Sequence, residues 1–286
     1  MIKYSVIVSA HNEDKFLTGM LQTICEQTVP ASEILLVNDN STDGTEAIMQ
    51  SFAFKHKNIT YFNHNSSKEH LPGTKVIEAF LFGFKKLKSP FDVIVKMDAD
   101  ILLPKNYFEE LMNIFKDKKI GIAGGFCYEV DSQGIWKLNH PMDQNHVRGA
   151  IKAYSKKCYS KIGGLIPAMG WDTADEFLAL YFGFEVKTLD NLHVKHLRPL
   201  GAGYDLKADE LQGAAFYVLR YGRTLTFFAS LKNAILKKSI FSFLKLMKGY
   251  QKAKRKQQPF LVDSDQGKFI RTYRWNKILK IRAKKG

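Results

Sequence analysis

A chain of 286 residues with 45% hydrophobic side chains is long enough for one sizeable core and reads as globular rather than disordered. Three cysteines, Cys25, Cys127 and Cys158, stand far apart with no CxxC pair, which excludes a disulfide framework and a cysteine zinc cluster and fits a reducing, cytoplasmic setting. The net charge of +15 is local: residues 206–286 hold 20 Lys/Arg against 4 Asp/Glu, whereas residues 1–205 hold 23 against 24. Charge so concentrated forms a solvated helical face or, more often, marks an anionic partner, a membrane surface or nucleic acid.

The opening segment "MIKYSVIVSAHNED" turns polar after a short apolar run, so it reads as a buried first strand and neither as a secretory signal nor as a membrane span. Apolar, β-branched runs at 4–10, 32–39, 58–64 and 91–100 predict strands. Between them, residues 15–28 (Phe16, Met20, Ile24 and Thr28 at helical spacing), 41–56 and 74–88 predict helices. Repeated strand–helix units imply an α/β fold with a mainly parallel sheet covered by helices on both faces. Further on, the pattern predicts a helix at 104–118, a strand at 120–130, a turn-rich polar stretch at 131–146, helices at 154–162 and 172–183 and a strand at 185–189. Beyond Gly203 the pattern becomes long and helical, which places a boundary near 205, where the charge also changes.

In a parallel sheet ligands bind beyond the carboxyl ends of the strands. "VIVKMDADILLP" brings Asp98 and Asp100 to that edge, where residues i and i+2 of a continuing strand share a side. Two such carboxylates can converge on Mg²⁺ or Mn²⁺, or can form the turn into the next element. "ILLVNDNSTDGT" brings Asn38 and Asp39 to the same edge, and "VSAHNE" brings Ser9, His11 and Glu13.

In this order and spacing, "SVIVSAHNEDKFL", "EILLVNDNSTDGT" and "VIVKMDADILLP" resemble the family 2 glycosyltransferases of GT-A fold, and the resemblance continues through "GGLIPAMGWDTADEFLALYFGFEV". It implies a GT-A, Rossmann-like domain over residues 1–205, with nucleotide-sugar binding in about 1–100 and the acceptor side and catalytic base in 101–205, followed by a basic helical extension at 206–286. It implies donor contacts from Ser9, His11, Glu13, Asp39, Lys75 and Asp98, with His11 in the place of the usual tyrosine, Asn38 in the place of an acidic neighbour and Asp39 as the base-reading aspartate. Lys75 is otherwise a solvated lysine at a helix start. Asp98 and Asp100 match the DXD motif, and His196 of "HVKHLRP" matches a histidine that completes the metal shell, so Mn²⁺ or Mg²⁺ is the implied cofactor. Asp172 matches the catalytic aspartate, with Trp171 replacing the preceding glutamate. Asp175, Glu176 and Arg148, with Gly149, stand where the acceptor side is built.

The implied reaction is transfer of a sugar, from a donor expected to be UDP-linked, to a glycan or lipid-linked acceptor in polysaccharide or cell-envelope glycan synthesis. A separate base acting on the acceptor implies inversion at the anomeric carbon. Within 243–255, Phe243, Met247 and Tyr250 fall on one helical face and Lys245, Lys248, Lys252 and Arg255 on another, a pattern suited to an anionic membrane surface or to packing on the chain itself. With no uncharged run near 20 residues, the expected place is peripheral, at the inner face of the cell membrane, and no nucleic acid is expected. Two competing readings are a sugar nucleotidyltransferase, which would need a Gly- and Arg-rich loop that "SAHNEDKF" lacks, and a non-catalytic membrane- or nucleic-acid-binding protein using the basic region.

Overall fold

The computed structural model describes residues 2–66, 73–131, 133–138, 146–198 and 208–283. The expected boundary near 205, and positions 132 and 139–145 of the turn-rich stretch, lie outside them. By chain contacts the molecule forms two units, one of residues 1–167 and 182–200 and one of residues 168–181 and 201–286.

The first unit is built on one mixed sheet. Strands β1 (Tyr4–Ala10), β2 (Glu33–Asp39), β3 (Ile59–His64) and β4 (Val93–Asp98) alternate with helices α1 (Asp14–Cys25), α2 (Thr45–Lys55) and α3 (Thr74–Phe84). After β4 come β5 (Ile101–Leu102), α4 (Tyr107–Ile114), β6 (Ile120–Val130), β7 (Trp136–Leu138), β8 (Ile151–Ser155), α5 (Lys156–Lys161) and, past an excursion through the second unit, β9 (Glu185–His196). The strand order is β3-β2-β1-β4-β8-β6-β9-β5, with β7 beside β6. β1 to β4 lie parallel to one another, as the alternating pattern predicts, and β6 is parallel to β9. β8 runs antiparallel between β4 and β6, and β5 is antiparallel to β9.

Apolar side chains cover both faces of the central strands. Val6 and Val8 of β1 and Val95 and Met97 of β4 meet Leu17, Met20, Phe108 and Leu111 of α1 and α4 in one core. On the other face α3 comes so close that a Cβ on Gly83 would stand 2.9 Å from Ile7 and from Val37. Only glycine lets that helix sit flat on the sheet.

Several boundaries differ from the pattern. α1 stops at Cys25 and turns Leu17, Met20, Leu21 and Ile24 inward, leaving Thr28 outside it. The buried Gln27 amide ends the helix: its Nε2 donates to Thr23 O and Pro104 O, and its Oε1 accepts from Phe108 N. Residues 41–44 are loop rather than helix. The helix expected over 154–162 splits into β8 and the short α5, because the segment through Ser155 fills the gap between β4 and β6 and the Ser155 hydroxyl then caps α5 by accepting from Cys158 N. The strand expected at 185–189 runs on to His196, across an irregularity opposite Gly125 and Phe126.

The second unit is helical: α6 (Trp171–Tyr181), α7 (Ala208–Val218), α8 (Gly222–Leu236), α9 (Ile240–Arg255) and α10 (Ser264–Ala283). α6 belongs with these helices, since Phe177 meets the rings of Tyr221 and Tyr273 and lies under the Arg274 guanidinium. α7 and α9 touch backbone to backbone through two glycines. A Cβ on Gly213 would lie 2.0 Å from Leu246 O, and one on Gly249 1.9 Å from Glu210 O. The inward face of α9 is therefore Ser242, Leu246, Gly249, Tyr250 and Ala253. Tyr250 packs against Tyr217 and is not part of a free apolar face with Phe243 and Met247. Small residues, not large ones, set the packing side of this helix.

Gly249→Ala forces α7 and α9 apart, and we expect it to cost about 1–3 kcal/mol in urea denaturation of the full chain. A loss below ~0.5 kcal/mol would refute the close crossing.

Candidate active site

The loops after β1 and β2 are lashed together. Asn12, in the left-handed region at φ 57°, accepts from Thr42 N through Oδ1 at 2.8 Å and donates its own N–H to Ser41 Oγ at 3.0 Å. Glu13 N donates to Thr45 Oγ1 at 2.7 Å, and His11 Nδ1 lies 2.6 Å from Asp39 O. Asp39 is buried, and its carboxylate contacts His64 Nδ1 at 3.2 Å and accepts from Ser66 N at 3.2 Å and Ser66 Oγ at 3.0 Å. Asn38 faces the other way, donating to Asn63 Oδ1 at 2.8 Å and accepting from Ser41 N. Ser9 is half-buried in register with Asp98 across the β1–β4 pair.

The two aspartates after β4 have different partners. Asp98 forms a close ion pair with Lys96, a lysine 1% exposed inside β4, whose ammonium also donates to Gly149 O at 2.8 Å. Asp98 N donates to Ala150 O at 2.9 Å, so the segment holding Arg148 and Gly149 is fastened to this edge. Asp100 sits past the strand end, where Leu197 N donates to its carbonyl and Ile101 pairs with His196. Its carboxylate lies 3.4 Å from His196 Nε2 and 3.7 Å from Arg198 Nε. Arg198 forms a close ion pair with Glu13 and stacks on Phe16 at 5.4 Å. On its other side, His196 Nδ1 stands 3.4 Å from Glu129 Oε1 without hydrogen-bond alignment.

The electrostatics follow from this crowding. Burial alone would raise the Asp100 pKa, but contact with His196 and the charges of His196 and Arg198 hold it below the usual carboxylate range. Burial alone would lower the His196 pKa, but Asp100, with help from Asp98 and Glu129, raises it. Burial pushes Glu13 up to about 7 against the pull of Arg198, with Asp100 and Asp98 adding repulsion. The carboxylates of Glu13, Asp98, Asp100 and Glu129 thus share a space with the His196 imidazole, the Arg198 guanidinium and the buried Lys96 ammonium. Among the described residues no three His, Cys, Asp or Glu side chains are placed to hold a metal by themselves. Asp100 and His196 nonetheless face each other as one oxygen and one nitrogen donor, which fits Mg²⁺ or Mn²⁺, cations that take one or two protein ligands and complete their shell with phosphate oxygens and water.

The sequence-predicted residues thus divide in two. Ser9, His11, Glu13, Asp39, Asp98, Asp100, Arg148 and His196 all stand at or beside the carboxyl ends of strands in the first unit. Lys75 is half-buried in the first turn of α3. Trp171, Asp172, Asp175 and Glu176 open α6 in the second unit: Asp172 is half-buried, the other three are buried, and Asp175 Oδ1 accepts from Glu176 N at 2.6 Å. His193 stays apart, with its ring on Tyr128 and Nε2 2.9 Å from Asp190 O. Sequence reasoning missed Lys96, Glu129, His64 and Ser66. Only Lys96 left a signal, as the one charge inside an apolar strand and two residues before Asp98.

The model of the family described as Glycosyl transferase family 2 matches residues 5–171. The Bacillus subtilis (strain 168) minor teichoic acid biosynthesis protein GgaB is 32% identical over 119 residues, 41% of this chain and 12% of that protein, so the chain spans a small part of that relative's length. Among solved structures, the mannosyltransferase PcManGT from Pyrobaculum calidifontis, in complex with GDP-Man and Mn²⁺, superposes with a TM-score of 0.61 at 16% identity, covering 89% of this chain and 75% of that one. S. aureus TarS 1–349 in complex with UDP-GlcNAc gives 0.57 at 15% identity, covering 82% and 67%. These likenesses fix the fold as GT-A.

Lys96→Met leaves Asp98 and Gly149 O without their shared donor, and we expect a loss of about 1–3 kcal/mol in urea melts. Adding Asp98→Asn should recover part of that loss, a coupling of at least ~0.5 kcal/mol in the double-mutant cycle. Purely additive losses would show that the pair is not coupled.

Proposed function

Since the chain belongs to glycosyl transferase family 2, we propose that it transfers a sugar from a nucleotide-sugar donor to a hydroxyl of a cell-envelope glycan or lipid-linked glycan, with inversion at the anomeric carbon. The observation that carries this reading is the pairing of Asp100 with His196 and Arg198 at the carboxyl edge of β4, beside Glu13 and Asp98. Asp100 and His196, with Asp98 near them, hold a divalent cation, Mn²⁺ or Mg²⁺. When bound, that cation supplies charge neutralisation for the departing diphosphate. Arg198 and Arg148 add fixed positive charge where negative charge develops.

Asp39 reads the nucleobase, and uridine is the expected base by the family resemblance. Ser9, His11 and Glu13, with Lys75, complete the donor contacts. Asp172 takes the proton from the acceptor hydroxyl as the bond from acceptor oxygen to anomeric carbon forms and the bond from that carbon to the diphosphate oxygen breaks. Trp171, Asp175 and Glu176 position that aspartate and the acceptor. Support for a nucleotide donor comes from the complexes of the two structural neighbours with GDP-Man and UDP-GlcNAc, and support for an envelope glycan from the teichoic acid protein.

Two measurements test this. In a thermal-shift panel of nucleoside diphosphates with and without Mn²⁺, one nucleotide should raise Tm, by the equivalent of about 2.7 kcal/mol at a hundredfold excess over its Kd. That shift should vanish in Asp100→Ala and without the metal. No shift with any nucleotide on folded protein would sink the donor site. Asp172→Asn should bind the same nucleotide normally while kcat falls by about 10²–10⁴-fold. Undiminished turnover would move the base elsewhere on the chain.

A further inference from the structure

The second unit carries an apolar surface that its own packing does not use. α8 turns Leu225, Thr226, Ser230 and Ala234 inward, and α9 turns Ser242, Leu246, Gly249 and Tyr250 inward. The opposite sides meet where Lys237, Lys238 and Ser239 join the two helices. There Ile235 is 68% exposed, Ile240 63% and Phe241 70%, with Leu231, Leu236 and Leu244 beside them also exposed. Phe227 and Phe243, with ring centroids 5.4 Å apart, join the α8 and α9 sides of this surface.

Scattered exposed apolar residues are ordinary, and Phe54 on α2 is one. Concentration is not: of the fifteen large apolar side chains exposed among the described residues, eight fall within residues 227–244. The charge around them is mainly positive, although Asp209 and Glu210 of α7 pair with Lys237 and Lys248 at 2.7 Å each. Residues 211–262 contain eleven Lys/Arg and no Asp or Glu. Lys232 lies one turn before Ile235 and Lys245 one turn after Phe241, with Lys237 and Lys238 between the helices.

We propose that the α8–α9 corner is a membrane-docking surface, with Ile235, Leu236, Ile240, Phe241 and Leu244 entering the interface of an anionic bilayer and the surrounding lysines lying among its headgroups. The combination selects this occupant. Nucleic acid would neutralise the lysines and leave the aliphatic side chains in water. A second copy of the chain would bury the apolar side chains at the cost of facing one lysine-rich surface with another. An anionic bilayer satisfies both. The surface uses residues other than Tyr250, whose face α7 covers. It also stands on the C-terminal helices alone, so it neither needs nor supports the donor site.

The test is co-sedimentation of the full chain with vesicles of phosphatidylglycerol and phosphatidylcholine, against vesicles of phosphatidylcholine alone, without nucleotide. Binding should require the anionic lipid and weaken as salt rises. Ile235→Ser with Phe241→Ser should weaken it about ten-fold or more while leaving Tm unchanged, because both side chains are exposed. Lys232→Gln and Lys238→Gln should each weaken it about five-fold. The proposal fails if neither vesicle binds, if the serine variant binds as the wild type does, or if RNA binds and vesicles do not. A dimer in sedimentation velocity that the serine changes dissolve, without vesicle binding, assigns the surface to a second copy and likewise overturns it.

Discussion

Burial on both faces of β4 is the constraint from which the site follows. A strand with apolar neighbours above and below tolerates a charge only if that charge finds a partner, and Lys96 finds Asp98 and the Gly149 carbonyl. The ammonium thereby holds the end of β4 to the segment that leads into β8. It also settles the different fates of two carboxylates separated by one alanine. Asp98 answers to a cation from its own strand, whereas Asp100, past the strand end, turns toward a histidine and an arginine almost a hundred residues away in sequence.

That second meeting depends on very little regular structure. β5 is two residues long, yet its pairing with the end of β9 puts His196 opposite Ile101 and lets Leu197 N donate to Asp100 O. The length of β9 matters here, because a strand ending at residue 189 would leave His196 and Arg198 unplaced. β6 contributes as well: its register sets Glu129 beside His196, on the side away from Asp100. The imidazole therefore stands between two carboxylates, which is why its affinity for a proton rises despite its burial. The same arrangement suits a cation in place of that proton.

The alternation of apolar strands and amphipathic helices made β1 to β4 legible in the sequence, and with them the edge where Ser9, Asp39 and Asp98 gather. What escaped were elements whose pattern is ambiguous locally. "IKAYS" runs into a helix-forming stretch and becomes a strand only because β4 and β6 each need a neighbour. "NLHVKHL" mixes polar and apolar residues in a way that suits an edge strand as well as a loop. On α9, reading the large apolar residues as the buried side misplaces that face, since Gly249 and Ser242 are where α7 comes close. The resemblance brought His196 to Asp98 and Asp100, but His64 beside Asp39 and Glu129 beside His196 could not be read at all, because they arise from register between strands and not from spacing along one.

The distribution of charge bears on how the chain works. At physiological ionic strength a surface charge is screened over roughly 8 Å, so the lysines of residues 211–262 act on what lies beside them and contribute little at longer range. Within the first unit, the positive charge that meets Asp100 comes from His196 and Arg198, in a stretch, residues 1–205, that is nearly neutral overall. For the transfer proposed above, that balance would be useful, since a strongly basic pocket would hold a released nucleoside diphosphate as firmly as the donor. The surplus of positive charge therefore belongs to the helices of the second unit, whereas the carboxylate edge of the first is built from charges that compensate one another.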